Sequence, residues 1–361
     1  MQSHKHRRLA WLSVILAFGV LAAACGDDDD NAASTGNESA GSSSEQCTGD
    51  ITGSGASYPD AFYQEAITAF ADVQPDLTVT YNAIGSGAGK EEFGQGLNDF
   101  AGSDSLVKEG DGPTAGSFLY VPTTASAVTV SYNLPGVDEL QLSPDTVAGL
   151  FDGTITKWND AALQADNPDA DLPDTTVVIA HRSDGSGTTN NFTKYLDAAS
   201  EKWALGSGDT VNWPANSQAG AQNTGVAQIV KSNEGAVGYV DLSDATETGL
   251  STASIKNADG KFVAPTVEGV QAALAGATVA EDLTYNPLNA AGADSYPITA
   301  PTYILVHTTY DDAATGDAVT CFVKYLVQDT GKIGEELGFA ALPSDLQSKA
   351  VAQLDKVTSG P

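Results

Sequence analysis

The sequence is short of positive charge, and of arginine above all. Its 361 residues hold 16 Lys and Arg against 47 Asp and Glu, a net charge of −31. Arg7 and Arg8 lie in the N-terminal stretch, so Arg182 is the only arginine beyond residue 24. A field this negative repels nucleic acid and anionic lipid, and no nucleic-acid partner is expected. It also repels small anions at long range, so any anion site must work through local contacts. Histidine is scarce too: only His181 and His307 follow residue 24. Neither forms a cluster with cysteine at metal-ligand spacing, and no metal or other cofactor is expected. Cysteine is limited to Cys25, Cys47 and Cys321.

The basic residues that do occur early have a pattern. His4-Lys5-His6-Arg7-Arg8 precedes an apolar run of 16 residues, 9–24, which is short for a membrane span. The run ends in Ala22-Ala23-Ala24 before Cys25, as in a secretory signal. It is similar to a lipoprotein signal with Cys25 as the lipidated first residue, although Leu21 stands one position further from the cysteine than in the usual motif. Removing residues 1–24 takes away Lys5, Arg7 and Arg8 and no acid, leaving 13 bases against 47 acids, a net −34. Residues 25–50 open with Gly26-Asp27-Asp28-Asp29-Asp30 and continue rich in Ser, Gly and Asn. Such a stretch cannot bury a core and reads as a flexible tether. In an oxidising compartment Cys47 and Cys321 can pair; two buried free thiols is the alternative.

From about residue 51 the signals alternate between strand and helix. A helical pattern places Phe62, Ala66, Ile67 and Phe70 on one face, with Ser57 set to cap it and Pro59 in its first turn. Residues 77–81 read as a strand, and Ile84-Gly85-Ser86-Gly87 opens a short helix carrying Phe93 and Leu97. Residues 125–132, 177–180, 236–240 and 303–307 read as strands. Residues 226–231, 319–327 and 345–356 read as helices. This alternation implies an α/β fold with largely parallel sheets. Gly85–Lys90 is not a nucleotide P-loop, because Ile84 stands at the first glycine and Glu91 follows the lysine. Gly185-Ser186-Gly187 lacks the outer spacing of a nucleophile elbow.

The lone arginine lies in His181-Arg182-Ser183-Asp184-Gly185-Ser186-Gly187-Thr188. A guanidinium presents a planar fork that matches an oxyanion. Phe192, Tyr195, Leu196 and Ala199 follow at helical spacing, which puts Ser186-Gly187-Thr188 at a helix N-terminus, where free N–H groups favour an anion. An ordinary N-cap beside a surface Arg–Asp pair is the plainer reading of that stretch. A glycine-rich turn bearing serine also precedes a helix at Ser57 and at Ser86, and Asp104 sits in a similar turn. Converging helix starts after strands are the usual ligand position in open α/β sheets.

At these residues the sequence resembles the phosphate-binding proteins of Pst-type phosphate ABC transporters. The resemblance runs from about residue 51 to 343. It is carried by Gly53-Ser54-Gly55-Ala56-Ser57-Tyr58-Pro59, Gly85-Ser86-Gly87, Gly102-Ser103-Asp104, residues 132–136, 153–159, 181–188 and 235–239, and Tyr296-Pro297-Ile298. It implies a two-lobed, hinged periplasmic-binding-protein-like (type II) fold with ligand in the cleft. Lobe 1 would be 51–127 completed by 300–361, and lobe 2 would be 128–299, with crossing strands near 127–132 and 297–305. It further implies that Ser57, the Tyr58 N–H, Ser86 and Asp104 contact inorganic phosphate from lobe 1. Arg182, Ser186, the Gly187 N–H and Thr188 would do so from lobe 2, with Asp184 orienting Arg182. The implied protein is a monomeric, lipid-anchored extracytoplasmic receptor, not an enzyme, that delivers phosphate to membrane permease subunits. A phosphate-ester hydrolase is the alternative, but it needs a metal or an activated nucleophile, and only His181 could serve as a base. A surface adhesin reusing the fold is a third class.

Overall fold

Strand and helix alternate along the whole of the computed structural model, which describes residues 46–359; the signal, Cys25 and most of the tether lie outside the described residues. The first half opens with β1 (Gly49–Gly55), α1 (Asp60–Val73), β2 (Leu77–Ala83), α2 (Ser86–Gly94) and β3 (Phe100–Ser103). β2 alternates buried Leu77, Val79 and Tyr81 with exposed residues, the signature of a half-covered strand. α1 buries Phe62, Tyr63, Ala66 and Phe70 along one stripe against the sheet. It begins later than the sequence suggests: Pro59 is the cap position, and Ser57 makes no capping bond. α2 ends at Gly94, so Leu97, expected on its apolar face, lies beyond it and is exposed.

Two long strands tie the halves together. β4 (Phe118–Tyr132) is followed by β5 (Gln141–Leu142), α3 (Pro144–Phe151), α4 (Ala161–Asp166), β6 (Val178–Arg182), α5 (Gly187–Ala199), β7 (Gln218–Gly220), α6 (Gln222–Ser232), β8 (Ala236–Asp241) and α7 (Leu242–Thr248). Next come β9 (Ser251–Thr252), β10 (Ser254–Lys256), β11 (Phe262–Val263), α8 (Val267–Ala275) and β12 (Thr299–His307). β13 (Thr309–Tyr310), α9 (Ala313–Gln328), α10 (Gly331–Glu336), β14 (Phe339–Ala340), α11 (Ser344–Leu354) and β15 (Thr358–Ser359) close the chain. The large sheet runs β2-β1-β3-β12-β4-β8-β6-β7. β4 pairs with β12 from Phe118 to Ala127 and with β8 from Val128 to Tyr132, so it changes partner between two consecutive residues.

The parallel reading holds for the two outer sets, β2-β1-β3 and β7-β6-β8. It fails at the centre, where β12 runs antiparallel to both β3 and β4, and β4 antiparallel to β8. Thr123 is an extra residue in β4, since Thr302 pairs with Thr124 and Tyr303 with Pro122. A bulge of this kind tolerates the neighbouring proline, which cannot donate to a ladder. Cys47 and Cys321 are disulfide-bonded with Cα atoms 6.5 Å apart, fastening the entry to β1 onto α9. Closing so long a loop restricts the unfolded chain, so the bond stabilises the fold.

Candidate functional site

The parallel sets place their turns at common edges. Gly55 pairs with Ala83 on one side and Gly102 on the other, so the turns leaving β1, β2 and β3 emerge together. They carry Ser57, Ser86 and Asp104. In the other half, β6 ends at Arg182 beside Gly220 of β7, and β8 ends at Asp241. Two sets of carboxyl strand ends therefore supply the residues of one cleft.

Helix starts bring the two sets into contact. Ser186 caps α5, its hydroxyl accepting from the Thr189 N–H at 3.1 Å. Gly187 then opens the helix against the first half. A Cβ at Gly187 would stand 2.6 Å from the Asp104 Cβ and 2.7 Å from the Ser86 Oγ, so no larger residue fits without displacing them. Ser86 begins α2 and accepts the Asp104 N–H at 3.3 Å, while its Oγ lies 3.4 Å from Asp104 Oδ2. The Gly87 N–H donates to the Gly185 carbonyl at 3.0 Å, and Asn191 donates to the Asp104 carbonyl at 2.6 Å. The halves are thus closed upon each other at the site.

Arg182 is buried and held on three sides. Its Nε donates to Asp184 Oδ1 at 2.9 Å and its Nη2 to Asp184 Oδ2. Its Nη1 donates to Asn223 Oδ1 at 3.0 Å and, more weakly, to Thr188 Oγ1 at 3.4 Å. The bidentate edge of the guanidinium is therefore spent on Asp184, not left for a ligand. Burial opposes ionisation of Asp184, but Arg182 overcomes it and holds the carboxyl below its ordinary range. Asn223 also donates to Asp241 Oδ2 at 3.1 Å, so the arginine is linked to the end of β8. Burial and the neighbouring Asp241 carboxylate push the Asp244 carboxyl in α7 well above its ordinary range.

Asp104 faces this cation from the other half. Thr302 of β12 donates to its Oδ1 at 2.8 Å. Burial pushes its carboxyl up to about 7, with Asp241 adding and the Thr302 hydrogen bond and Arg182 opposing. Ser57 lies in the turn after β1, and its buried hydroxyl has no hydrogen-bond partner. An unpaired buried hydroxyl costs free energy unless a ligand satisfies it. The Tyr58 side chain is turned away, its hydroxyl donating to the Ala300 carbonyl at 3.1 Å, which leaves only its backbone for the cleft. His181 stacks on Trp213 with ring centroids 5.2 Å apart, and its Nδ1 donates to the Arg182 carbonyl at 2.8 Å. No group of three metal-ligating side chains occurs among the described residues.

Sequence reasoning missed Asn223, Gln222, Asp241, Asn191 and Thr302. Gln222 adopts φ 59°, unusual for a residue with a side chain. That backbone aims its N–H at Asp184 Oδ1 at 3.0 Å, while its amide donates across the cleft to the Ala83 carbonyl. The one available signal was the Ala221-Gln222-Asn223 turn ahead of an apolar helical run.

Known proteins resemble the chain over most of its length. Residues 35–330 match the family described as PBP superfamily domain. The phosphate-binding protein PstS of Methanocaldococcus jannaschii is 35% identical over 345 residues, covering 86% of this chain and 87% of that protein. Phosphate-binding protein PstS 2 of Mycobacterium tuberculosis is 33% identical over 373 residues, 97% of this chain and 98% of its own. The structure of a high-affinity periplasmic phosphate-binding protein solved with phosphate superposes with a TM-score of 0.69 at 24% identity, covering 84% of this chain and 93% of that one. The architecture described above is shared with it: two lobes around a cleft.

Proposed function

Because the chain belongs to the PstS family of phosphate-binding proteins, we propose that its cleft captures inorganic phosphate for delivery to an ABC transporter permease. The observation that carries the reading is the meeting of Ser86 and Asp104 with Gly187 at the start of α5, the helix that follows the Arg182 turn. Ser57, the Tyr58 N–H, Ser86 and Asp104 bind from lobe 1, taken as 51–127 with 300–361. Arg182, Ser186, the Gly187 N–H and Thr188 bind from lobe 2, taken as 128–299. Asp184 orients the arginine. Neutral N–H and O–H dipoles plus one guanidinium stabilise a dehydrated dianion by short hydrogen bonds, without needing a basic surface. The unpaired Ser57 hydroxyl and the buried arginine both suit that role.

Isothermal calorimetry of the purified protein tests the reading directly. Phosphate is expected to bind saturably at one site per monomer, with sulfate and a phosphate monoester far weaker. A monoester bound as tightly as phosphate, or no heat with phosphate, defeats the proposal.

The same reading places the protein outside the cytoplasm, anchored through lipid on Cys25. What supports this is the basic segment, the apolar run and the small residues before Cys25. A lipid anchor at the chain end would hold a receptor near its permease. Cys25→Ser is expected to shift the protein from the membrane fraction to the soluble fraction of expressing cells. Unchanged membrane retention of that variant removes the anchor.

A further inference from the structure

Lys90 is the one buried lysine among the described residues, and its position in α2 is not explained by ligand contact. Its Nζ donates to Ser105 Oγ at 3.1 Å, to Asp111 Oδ2 at 2.7 Å and to Asp209 Oδ2 at 2.9 Å. All three ammonium hydrogens are thereby used. Ser105 and Asp111 stand in the same half as Lys90. Asp209 belongs to the other half, in the segment between α5 and β7.

Asp209 is bound on both sides. Toward its own half, its main-chain carbonyl accepts the Ser186 N–H at 3.0 Å and its Oδ1 accepts from Asn190 at 2.7 Å. Both donors belong to the start of α5. Toward the first half, its Oδ2 accepts from Lys90 and from Ser105 Oγ, the latter at 2.9 Å. Ser105 is the residue after Asp104. One carboxylate therefore ties the anion-facing turn of α5 to the neighbours of Asp104 and Ser86. Separating the halves breaks the Lys90 and Ser105 bonds to Asp209 but leaves Lys90 its bonds to Asp111 and Ser105. The open arrangement thus keeps a paired lysine, so the ion pair with Asp209 favours closure without trapping it.

We propose that Asp209 is a positioning residue that latches the closed cleft through Lys90 and Ser105, and so sets how long phosphate is retained. This rests on the phosphate-binding reading above. The latch forms only after the lobes close, so it acts on escape and not on encounter.

Release and association of radiolabelled phosphate, followed by rapid filtration on the mature protein, test this. Asp209→Asn keeps the size and the Asn190-side acceptor but removes the charge. It is expected to speed release by roughly ten- to a hundredfold, the factor that loss of a charge-assisted hydrogen bond implies. Its association rate should match wild type, and Asp209→Glu should recover part of the slow release. The thermal melt of each variant identifies any that fails to fold, and Asp209→Ser then replaces it. Release at the wild-type rate overturns the latch, and so does an association rate that falls as much as release rises. A wild type that retains no phosphate overturns the parent reading and this one together.

Discussion

Arg182→Lys is expected to weaken phosphate binding by roughly ten- to a hundredfold although the charge is kept. The loss corresponds to about 1.5–3 kcal/mol, typical of one hydrogen bond to a charged group. The geometry gives the reason. Arg182 bonds Asp184 through Nε and Nη2 while its Nη1 reaches Asn223 and Thr188. A lysine ammonium is a single point on a flexible stem and cannot hold both sides while presenting a hydrogen to a ligand. The retained charge still balances Asp184, so the fold should persist, as a thermal melt can verify. Calorimetry that returns wild-type affinity for Arg182→Lys takes the arginine out of the site.

The second large effect concerns discrimination, and it turns on Asp104. A carboxylate facing an anion is repulsive unless the anion supplies a proton. Phosphate near neutral pH retains at least one proton and sulfate retains none. Thr302 occupies Oδ1, which leaves Oδ2, beside Ser86, as the acceptor for a P–OH. A buried group left unpaired by the wrong analogue can reject it by about 10⁴–10⁵. Asp104→Asn is expected to erode that ratio, because an amide can donate to sulfate. The pH dependence has a definite sign. Burial raises the Asp104 carboxyl to about 7, so it gains a proton as pH falls through that value. The protonated form is a donor, and the wild-type preference for phosphate over sulfate should narrow at pH 5.5 relative to pH 8. Arsenate, which also keeps a proton, should compete at both. Competition binding with the three anions at fixed salt decides the matter. A phosphate-to-sulfate ratio unchanged by Asp104→Asn shows that the discrimination lies elsewhere.

The helix starts of the candidate site could be read in the chain because turn chemistry is local. Gly-Ser turns ahead of apolar helical runs announce Ser86 and Ser186 as helix starts, and both are. The same local logic misassigned the Ser57 hydroxyl as a cap, because Pro59 takes the cap position and the helix starts beyond it. The residues that hold the site together are set by distant partners. Thr302 reads as one more β-branched residue of an apolar strand, and only the pairing of β12 beside β3 brings it to Asp104. Asn223 acquires its role from three neighbours on β6, α5 and β8. Strand direction was legible only for the outer sets. β4 extends back to Phe118 through Pro122, which a local reading takes as a breaker. Its bulge at Thr123 depends on register with β12, which no short window contains.

A chain with one arginine beyond residue 24 also carries its own chemical reporter. Arginine-selective dicarbonyl reagents find no competing guanidinium anywhere in residues 25–361. In the closed arrangement the Arg182 side chain is 1% exposed. Its modification rate therefore measures the fraction of time the cleft stands open, residue-specifically and without a label, in the native protein.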